Sequence, residues 1–494
     1  MSTNRPTLVE RLLPLLLGIG VGILLVQILG KLPPKWSIFA VAATIIVSIM
    51  TLTGLFSRHL PGTLLFLAVA SLPTFYDITF FYRENVRFAV EANGFPINTF
   101  DILALPLFLA WLYEQWSNPE APKIRFPRTW LAIMLILLGI NLISALFVAA
   151  EPFFSFSMIY SQVKCYLIMF FLANYVRDQH TFRVMGYAFA FILIFEGLVV
   201  LEQRFLGVIF TAENLGKTIS LKSVVGSSTL VRVAGTLNHP NDLAMYLNLS
   251  LPLVGFMLIT ETKPLRRLYL GAAVLLALIA ELWSGSRGGW MGLACALGTG
   301  AYFYMQKQGK NPLIGLLTGG FALSMVFAML FAGSQVFRDR LVEGDAGAAE
   351  VRLPLMEVAM EMIKENPVLG VGLNLYTREM VPYDRTNHFI AYRYNHPVHN
   401  TFLMFAAETG LLSLLMLSTL IVSMLFECHR VAMRDDGIVA VAGLGVMGAL
   451  ISWVIHNQVN LTAPYNDTTL WALMGLLAAA SNHTSQLPAR NPHV

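Results

Sequence analysis

The chain has 494 residues, of which 56% are hydrophobic and 13% are charged, and its mean hydropathy is +0.64. This composition excludes a set of soluble domains, because apolar runs long enough to cross a bilayer follow one another from end to end. The net charge of +4 is a mild excess, which basic cytoplasmic loops explain without nucleic acid as a partner.

Fourteen apolar runs are predicted to cross the membrane, because most of them approach the ~20 residues that span the hydrocarbon core. In the first half they are Leu12–Leu29, Ser37–Phe56, Thr63–Leu72, Phe100–Tyr113, Trp130–Ala149, Ile159–Val176 and Met185–Phe205. In the second half they are Leu243–Ile259, Leu268–Trp283, Trp290–Tyr304, Leu313–Phe331, Thr401–Phe426, Ile438–Ile455 and Thr468–Ala480. The third and the last are short. We therefore expect an all-α polytopic membrane protein with 12–14 transmembrane helices, forming one polytopic domain over residues 1–494.

Three cysteines are scattered along these runs, at Cys165, Cys295 and Cys428. An odd, scattered set predicts neither a disulfide framework nor a metal site. The first run lacks a clear small-residue cleavage site and is followed directly by another run. We therefore expect that it is retained in the protein and is not a cleaved signal peptide.

Basic residues concentrate in the short loops that lie on the same side as the N-terminus. They are Arg58, Lys123, Arg125, Arg128, Arg177, Arg183, Lys263, Arg266, Arg267, Lys307, Lys310, Arg430 and Arg434. Because short cytoplasmic loops carry an excess of Lys and Arg, this pattern predicts that both termini are cytoplasmic. Two longer loops, at about 206–242 and 332–400, then lie outside.

The outer loop 332–400 contains a predicted amphipathic helix at about 351–364. Val351, Leu355, Val358 and Met362 recur at helical spacing, as on one face of a helix. The pair Asn366-Pro367 would end it. A helix that lies on the membrane interface or caps the bundle explains this pattern without any chemistry.

Three polar segments precede apolar runs that cross from outside to inside, so the three helix starts face out. Arg232, Arg287 and His399 lie in these segments. Charged residues at such positions are functional candidates. The start of a helix presents unpaired N–H groups that bind phosphate, and the planar fork of arginine can hold two phosphate oxygens. The pattern therefore predicts an anion site at the outer face.

Each of these residues also has a structural explanation. Arg232 could lie in a solvated loop, and Arg287 could pair with a nearby acid such as Glu281. The glycines beside Arg287 could permit close helix packing or let a ligand approach the backbone. His399 could cap a helix or lie at the interface.

Four further residues are accessory candidates for the same site. His396 and Asn400 lie beside His399, and Asn241 follows Arg232 in its segment. Lys164 is within two turns of the outer end of its run. It could extend to the interface or reach the same anion.

The motifs that carry a family resemblance lie between about residues 232 and 412. They are Arg232…Gly235-Thr236…His239-Pro240-Asn241-Asp242-Leu243-Ala244, Ser284-Gly285-Ser286-Arg287-Gly288-Gly289, Asn366-Pro367-Val368-Leu369-Gly370-Val371-Gly372 and His399-Asn400…Glu408-Thr409-Gly410-Leu411. In this order and spacing they resemble the O-antigen ligase and O-antigen polymerase superfamily. Ser413 departs from the Gly, Thr or Val that many ligases carry at that position.

The resemblance implies a metal-independent, inverting glycosyltransferase of the C-type membrane fold in the bacterial inner membrane, without a cofactor. Its donor would be a glycan on undecaprenyl pyrophosphate, and its acceptor a hydroxyl of a glycan, lipid or protein at the outer face. Arg232 and Arg287 would hold the pyrophosphate. His399 would deprotonate or orient the acceptor hydroxyl.

The chemistry agrees with these roles. A pyrophosphate leaving group needs its charge neutralised, which positioned arginines and helix starts can do electrostatically. An imidazole that titrates near neutrality can act as a general base.

Two alternatives stay open at this point. Within the family, the protein could polymerise a lipid-linked glycan or transfer it to lipid A core, another lipid or a protein, and the long outer loop and Ser413 do not select a ligase. In a different class, it could be a secondary transporter. Transporters, however, place charges near the bilayer midplane and often show inverted repeats, whereas these charges lie at the outer edge and the sequence shows no repeat.

Overall fold

A computed structural model describes residues 60–73, 77–83, 88–205, 223–224, 231–237, 239–317, 320, 331, 348–387 and 389–486. The predicted runs Leu12–Leu29 and Ser37–Phe56 lie outside the described residues, as does most of Leu313–Phe331. The chain is an all-α polytopic membrane protein. Its described strands form only two short two-stranded sheets.

The first half of the described chain contains five helices. They are α1 (Leu60–Ala70), α2 (Thr99–Ser117), α3 (Arg128–Phe147), α4 (Pro152–Tyr175) and α5 (Gln179–Phe205). Strands β1 (Asp77–Phe80) and β2 (Phe95–Asn98) pair antiparallel, with Asp77 opposite Asn98. Strands β3 (Ser223–Val224) and β4 (Val231–Arg232) also pair antiparallel, with Ser223 opposite Arg232.

The second half contains the helices that carry the predicted motifs. They are α6 (Pro240–Thr260), α7 (Pro264–Ser284), α8 (Arg287–Lys307), α9 (Ala348–Glu365), the short α10 (Tyr376–Glu379) and α11 (Ile390–Arg393), then α12 (Thr401–Arg434), α13 (Gly437–His456) and α14 (Thr468–Thr484). Val381–Tyr383 adds one 3₁₀ turn.

Among the described residues, six helices are long and apolar enough to cross a membrane, namely α3, α4, α5, α6, α12 and α13. The two runs that were predicted to be short are helices of 11 residues (α1) and 17 residues (α14). Helix α13 is the central one, because 83% of its most apolar window is buried within the protein. It packs against α6, α8 and α12.

The helix of the outer loop lies over the bundle. It spans Ala348–Glu365, around the predicted 351–364, and it ends directly before Asn366-Pro367. Leu355, Val358 and Met362 are fully buried, and the helix packs against α12. This packing agrees with the alternative in which the helix caps the bundle.

Candidate functional site

Arg232 is held in place by the segments that precede α6 and α8. Its side chain is 5% exposed. Nε donates a hydrogen bond to the Ser284 carbonyl (2.7 Å), and Nη2 donates one to Asn241 Oδ1 (2.7 Å). The alternative of a solvated surface arginine is therefore wrong. A buried guanidinium that is hydrogen-bonded to the end of α7 and the start of α6 can present its remaining N–H groups only in a fixed direction.

The turn after Arg232 is anchored on α5. Thr236 donates to the carboxylate of Glu196 from both its backbone nitrogen and its hydroxyl. The Gln203 side chain donates to the Gly235 carbonyl (2.6 Å) and accepts from the Gly235 nitrogen (3.1 Å). Gly235 has φ +62°, and a β-carbon there would overlap the Glu196 carboxylate. These contacts fix the backbone that carries Arg232.

Arg287 is the first residue of α8, and the glycines after it serve close packing. A β-carbon at Gly288 would lie 3.0 Å from the His456 ring, and one at Gly289 would lie 2.5 Å from Glu281 Oε1. The packing explanation of these glycines is therefore the one that the structure supports. Glu281 does not take the predicted role of ion-pair partner, because its carboxylate is buried and accepts instead from Asn248 Nδ2 (3.3 Å).

The end of α13 joins the three helix starts. His456 Nε2 lies 3.3 Å from the hydroxyl of Ser286, the residue before Arg287. The Asn457 carbonyl accepts from the Thr401 nitrogen at the start of α12 (3.1 Å). Asn460 Oδ1 accepts from Asn241 Nδ2 at the start of α6 (3.3 Å). The predicted polar segments therefore meet at one end of the bundle. Residues 456–460 connect them, and hydropathy alone did not indicate this role.

His399 lies in this cluster, directly before α12, and it is half-buried. Burial lowers its pKa below the ordinary value of 6.5, and the positive charges of Arg352 and His396 lower it further, while the Pro397 carbonyl opposes the shift. A lowered pKa keeps the imidazole neutral, and therefore able to accept a proton, under mildly acidic conditions.

Arg352 is a residue of this site that the sequence analysis missed. It lies in α9, it is half-buried, and burial and then the charge of Arg287 lower its pKa. Because its charge also acts on His399, Arg352 lies near both Arg287 and His399. Its position in the sequence could have indicated this, because residues 352, 355, 359 and 362 share one face of the helix. The last three of these residues are buried.

The accessory candidates divide into two groups. Asn241 bonds directly to Arg232, and the exposed His396 acts electrostatically on His399. Asn400 is the N-cap of α12, and its Oδ1 accepts from the nitrogens of Phe402 and Leu403. Lys164 pairs with Asp101 (3.1 Å) and donates to the Pro96 carbonyl (3.2 Å), so it is held beside β2 and the start of α2.

Acidic residues lie near Asp242 in the first turn of α6, and the sequence analysis did not single them out. Glu91 is exposed at its surface, and desolvation by the neighbouring protein, with the charge of Asp242, raises its pKa to about 7. Burial also raises the pKa of Asp467 to about 6. Asn374 holds the Glu91 loop, because its Oδ1 accepts from the Glu91 nitrogen (2.8 Å).

The two remaining motifs pair with each other. Helix α12 is broken at Gly410, which has φ +85° and ψ +168°. The carbonyls of Ala407 and Glu408 accept from the nitrogens of Val371 and Gly372 (2.9 and 3.0 Å), and the Leu411 nitrogen donates to the Pro367 carbonyl (2.8 Å). The Asn366–Gly372 segment therefore satisfies the backbone groups that the kink leaves unpaired.

Glu408 supports the same junction. Its Oε1 accepts from the Tyr376 nitrogen (3.1 Å). Ser413, the position that departs from many ligases, is fully buried and donates to the Thr409 carbonyl across the kink (3.0 Å). Both side chains stabilise the region where the outer loop meets α12.

Residues 272–418 match the model of the family described as O-antigen ligase. This match confirms the predicted resemblance to the O-antigen ligase and polymerase superfamily. No curated protein matches the chain.

The O-antigen ligase match covers most of the cluster but not all of it. It contains Arg287, Arg352, His399 and the Gly410 junction. Arg232 lies before the matched segment, so its place in the site rests on its hydrogen bonds to Ser284 and Asn241. The match favours glycan transfer of the O-antigen ligase and polymerase type over the transporter alternative.

Proposed function

We propose that the protein is a metal-independent, inverting glycosyltransferase that moves a glycan from an undecaprenyl-pyrophosphate donor to an acceptor hydroxyl. The observation that carries the proposal is the meeting of three guanidinium groups and an imidazole at one end of the bundle. All of these groups except that of Arg232 lie in the segment that matches O-antigen ligases. The site would lie at the outer face of the bacterial inner membrane, with both termini in the cytoplasm.

The cationic residues would bind and activate the donor. Arg232, Arg287 and Arg352 would neutralise the pyrophosphate as the bond to the sugar breaks, so that electrostatic stabilisation replaces a metal ion. Charge-assisted hydrogen bonds from arginine are roughly twice as strong as neutral ones and can be bidentate. The burial of Arg232 and half-burial of Arg352 would strengthen them further by excluding water.

His399 would act on the acceptor. Its neutral form would take the proton of the acceptor hydroxyl as the oxygen attacks the anomeric carbon from the face opposite the leaving pyrophosphate, which inverts the configuration. The lowered pKa of His399 keeps this neutral form populated. The acceptor would be a glycan hydroxyl if the protein is a polymerase, and a hydroxyl of lipid A core, another lipid or a protein if it is a ligase.

The test is glycan transfer by the purified full-length protein in proteoliposomes, with an undecaprenyl-pyrophosphate glycan as donor. We expect His399→Ala to lower the rate by ~10²–10⁴-fold, the usual contribution of general-base catalysis, with little loss of donor binding. His180→Ala, at an exposed histidine near the start of α5, is the control. Transfer at the wild-type rate by His399→Ala would refute the assignment of the base.

Cells that lack the protein would separate polymerase from ligase. Loss of a polymerase leaves single repeat units on the carrier or on the final acceptor. Loss of a ligase leaves long chains on the carrier lipid. The length of the accumulated lipid-linked glycan therefore decides between the two products.

A further inference from the structure

His239 caps helix α6 with a ring nitrogen. Its backbone is extended, and Nδ1 accepts a hydrogen bond from the Asn241 nitrogen (3.1 Å). Pro240 has no N–H group, so the Asn241 amide is the first donor of the helix. Histidine is not among the residues that are preferred at this position, and Asn, Asp or Ser would supply the same cap.

The cap determines the tautomer of the ring. Since Nδ1 accepts the hydrogen bond, the neutral imidazole carries its proton on Nε2. The ring remains accessible to solvent. His239 therefore offers an N–H donor whose direction is set by the first turn of α6.

The donor lies beside the proposed pyrophosphate site. Asn241 connects the two, because its backbone nitrogen bonds to His239 and its side chain accepts from Arg232. Enclosure by protein lowers the pKa of His239 to about 4, and the charges of Arg232 and His399 add to this effect. The positive end of the helix dipole acts in the same direction. The ring is therefore neutral at the pH values at which the enzyme works, and it is a poor base.

We propose that His239 is a catalytic residue, and that its Nε2–H group donates a hydrogen bond to an oxygen of the departing pyrophosphate. This role rests on the proposed function. A fourth cation would be repelled by Arg232, Arg287 and Arg352 and would have to be desolvated among them. A neutral donor stabilises the developing charge without that repulsion, and it needs no reorganisation because its cap already holds it.

The test separates the hydrogen bond from the cap. His239→Asn keeps an oxygen that can accept from the Asn241 nitrogen, but it removes the Nε2–H donor. We expect kcat in proteoliposomes with the undecaprenyl-pyrophosphate glycan to fall ~10²–10³-fold, as for other preorganised donors to an oxyanion. We expect the melting temperature and the acid limb of the pH–rate profile to stay as in the wild type. His180→Asn, an exposed histidine outside the site, is the matched control.

The outcomes are distinct. If His239 only caps the helix, His239→Asn will be as active as the wild type while His239→Ala will be less stable, and the catalytic role is overturned. If His239 is a base, His239→Asn will lose the acid limb, which also overturns the role. If the wild-type protein transfers no glycan, the proposed function itself fails, and the role of His239 fails with it.

Discussion

A residue of helix α9 contributes to the lowered pKa of His399. The charge of Arg352 is the second cause of the lowered pKa of His399, after burial. Because a general base must be unprotonated, a lower pKa extends activity toward acidic pH. The cation of the outer helix would therefore both hold the donor and keep the base neutral.

Arg352→Gln tests this coupling. Loss of the positive charge should raise the pKa of His399, so the acid limb of the kcat profile should move to higher pH. The substitution should also raise the KM for the donor, because one cation of the site is lost. The pH dependence of kcat at saturating donor is the measurement, and Arg385→Gln, an exposed position of the same loop, is the control. An acid limb that does not move would show that Arg352 does not act on the base.

Glu91 predicts a dependence of stability on pH. Its pKa in the folded protein is about 7, against an ordinary value of 4.5, so the folded state holds the proton more tightly than the unfolded state. The free energy of unfolding therefore falls as the pH rises from about 4.5 to about 7. Outside that range, the titration of Glu91 changes it little.

Glu91→Gln should remove that loss. The measurement is the difference in melting temperature between the variant and the wild type. We expect this difference to favour the variant more at pH 8 than at pH 5, because only the wild type carries a disfavoured charge at pH 8. Glu120→Gln, at an exposed position after α2, is the control. An equal difference at both pH values would contradict the raised pKa.

Among the described helices and their connections, the junction at Gly410 is sensitive to substitution. A non-glycine residue at φ +85° is strained, and a β-carbon there would overlap the Val368 carbonyl. The same junction positions the outer loop that carries Arg352. The break in α12 therefore connects backbone geometry to the site.

Gly410→Ala should lower the stability of the protein by roughly 2–5 kcal/mol, from backbone strain and overpacking together. Gly139→Ala is the matched control, because no atom lies within 4 Å of the added carbon and alanine favours a helix. Thermal unfolding in detergent would measure both variants. A Gly410→Ala protein as stable as the control would mean that the kink can straighten.

The sequence predicted the helices better than their starts. Hydropathy places the runs after Arg232 and Arg287 at Leu243 and Trp290, whereas the helices begin at Pro240 and Arg287. The reason is that caps at His239 and Ser286 extend each helix into polar residues, which an apolar scale counts as loop.

The candidate site was predictable only in part, for a related reason. Arg232, Arg287 and His399 stand out because they precede apolar runs whose starts are predicted to face out, where a charged residue is a functional candidate. Arg352 and Glu91 lie in long segments between apolar runs, where a charge is usually solvated, and only the fold brings these segments close to the helix starts. Tertiary contacts of this kind have no signature in hydropathy.

Across the whole molecule, the segments that form the site are far apart in the chain. Residues near 232, 287, 352 and 399 meet because the end of α13 holds three helix starts together and α9 packs against α12. A bundle of apolar helices thus presents a cationic cluster at one end. The proposed function requires this cluster to bind a pyrophosphate.

The most direct test is therefore the affinity of the purified protein for undecaprenyl pyrophosphate, measured for the wild type and for Arg287→Gln. Arg287 is preferable to Arg232, whose bonds to Ser284 and Asn241 also hold the fold. Since a hydrogen bond to a charged group contributes about 1.5–3 kcal/mol, we expect Kd to rise by ~10- to 100-fold. Arg385→Gln should bind as the wild type does. If Arg287→Gln also binds with wild-type affinity, the cluster is not a pyrophosphate site.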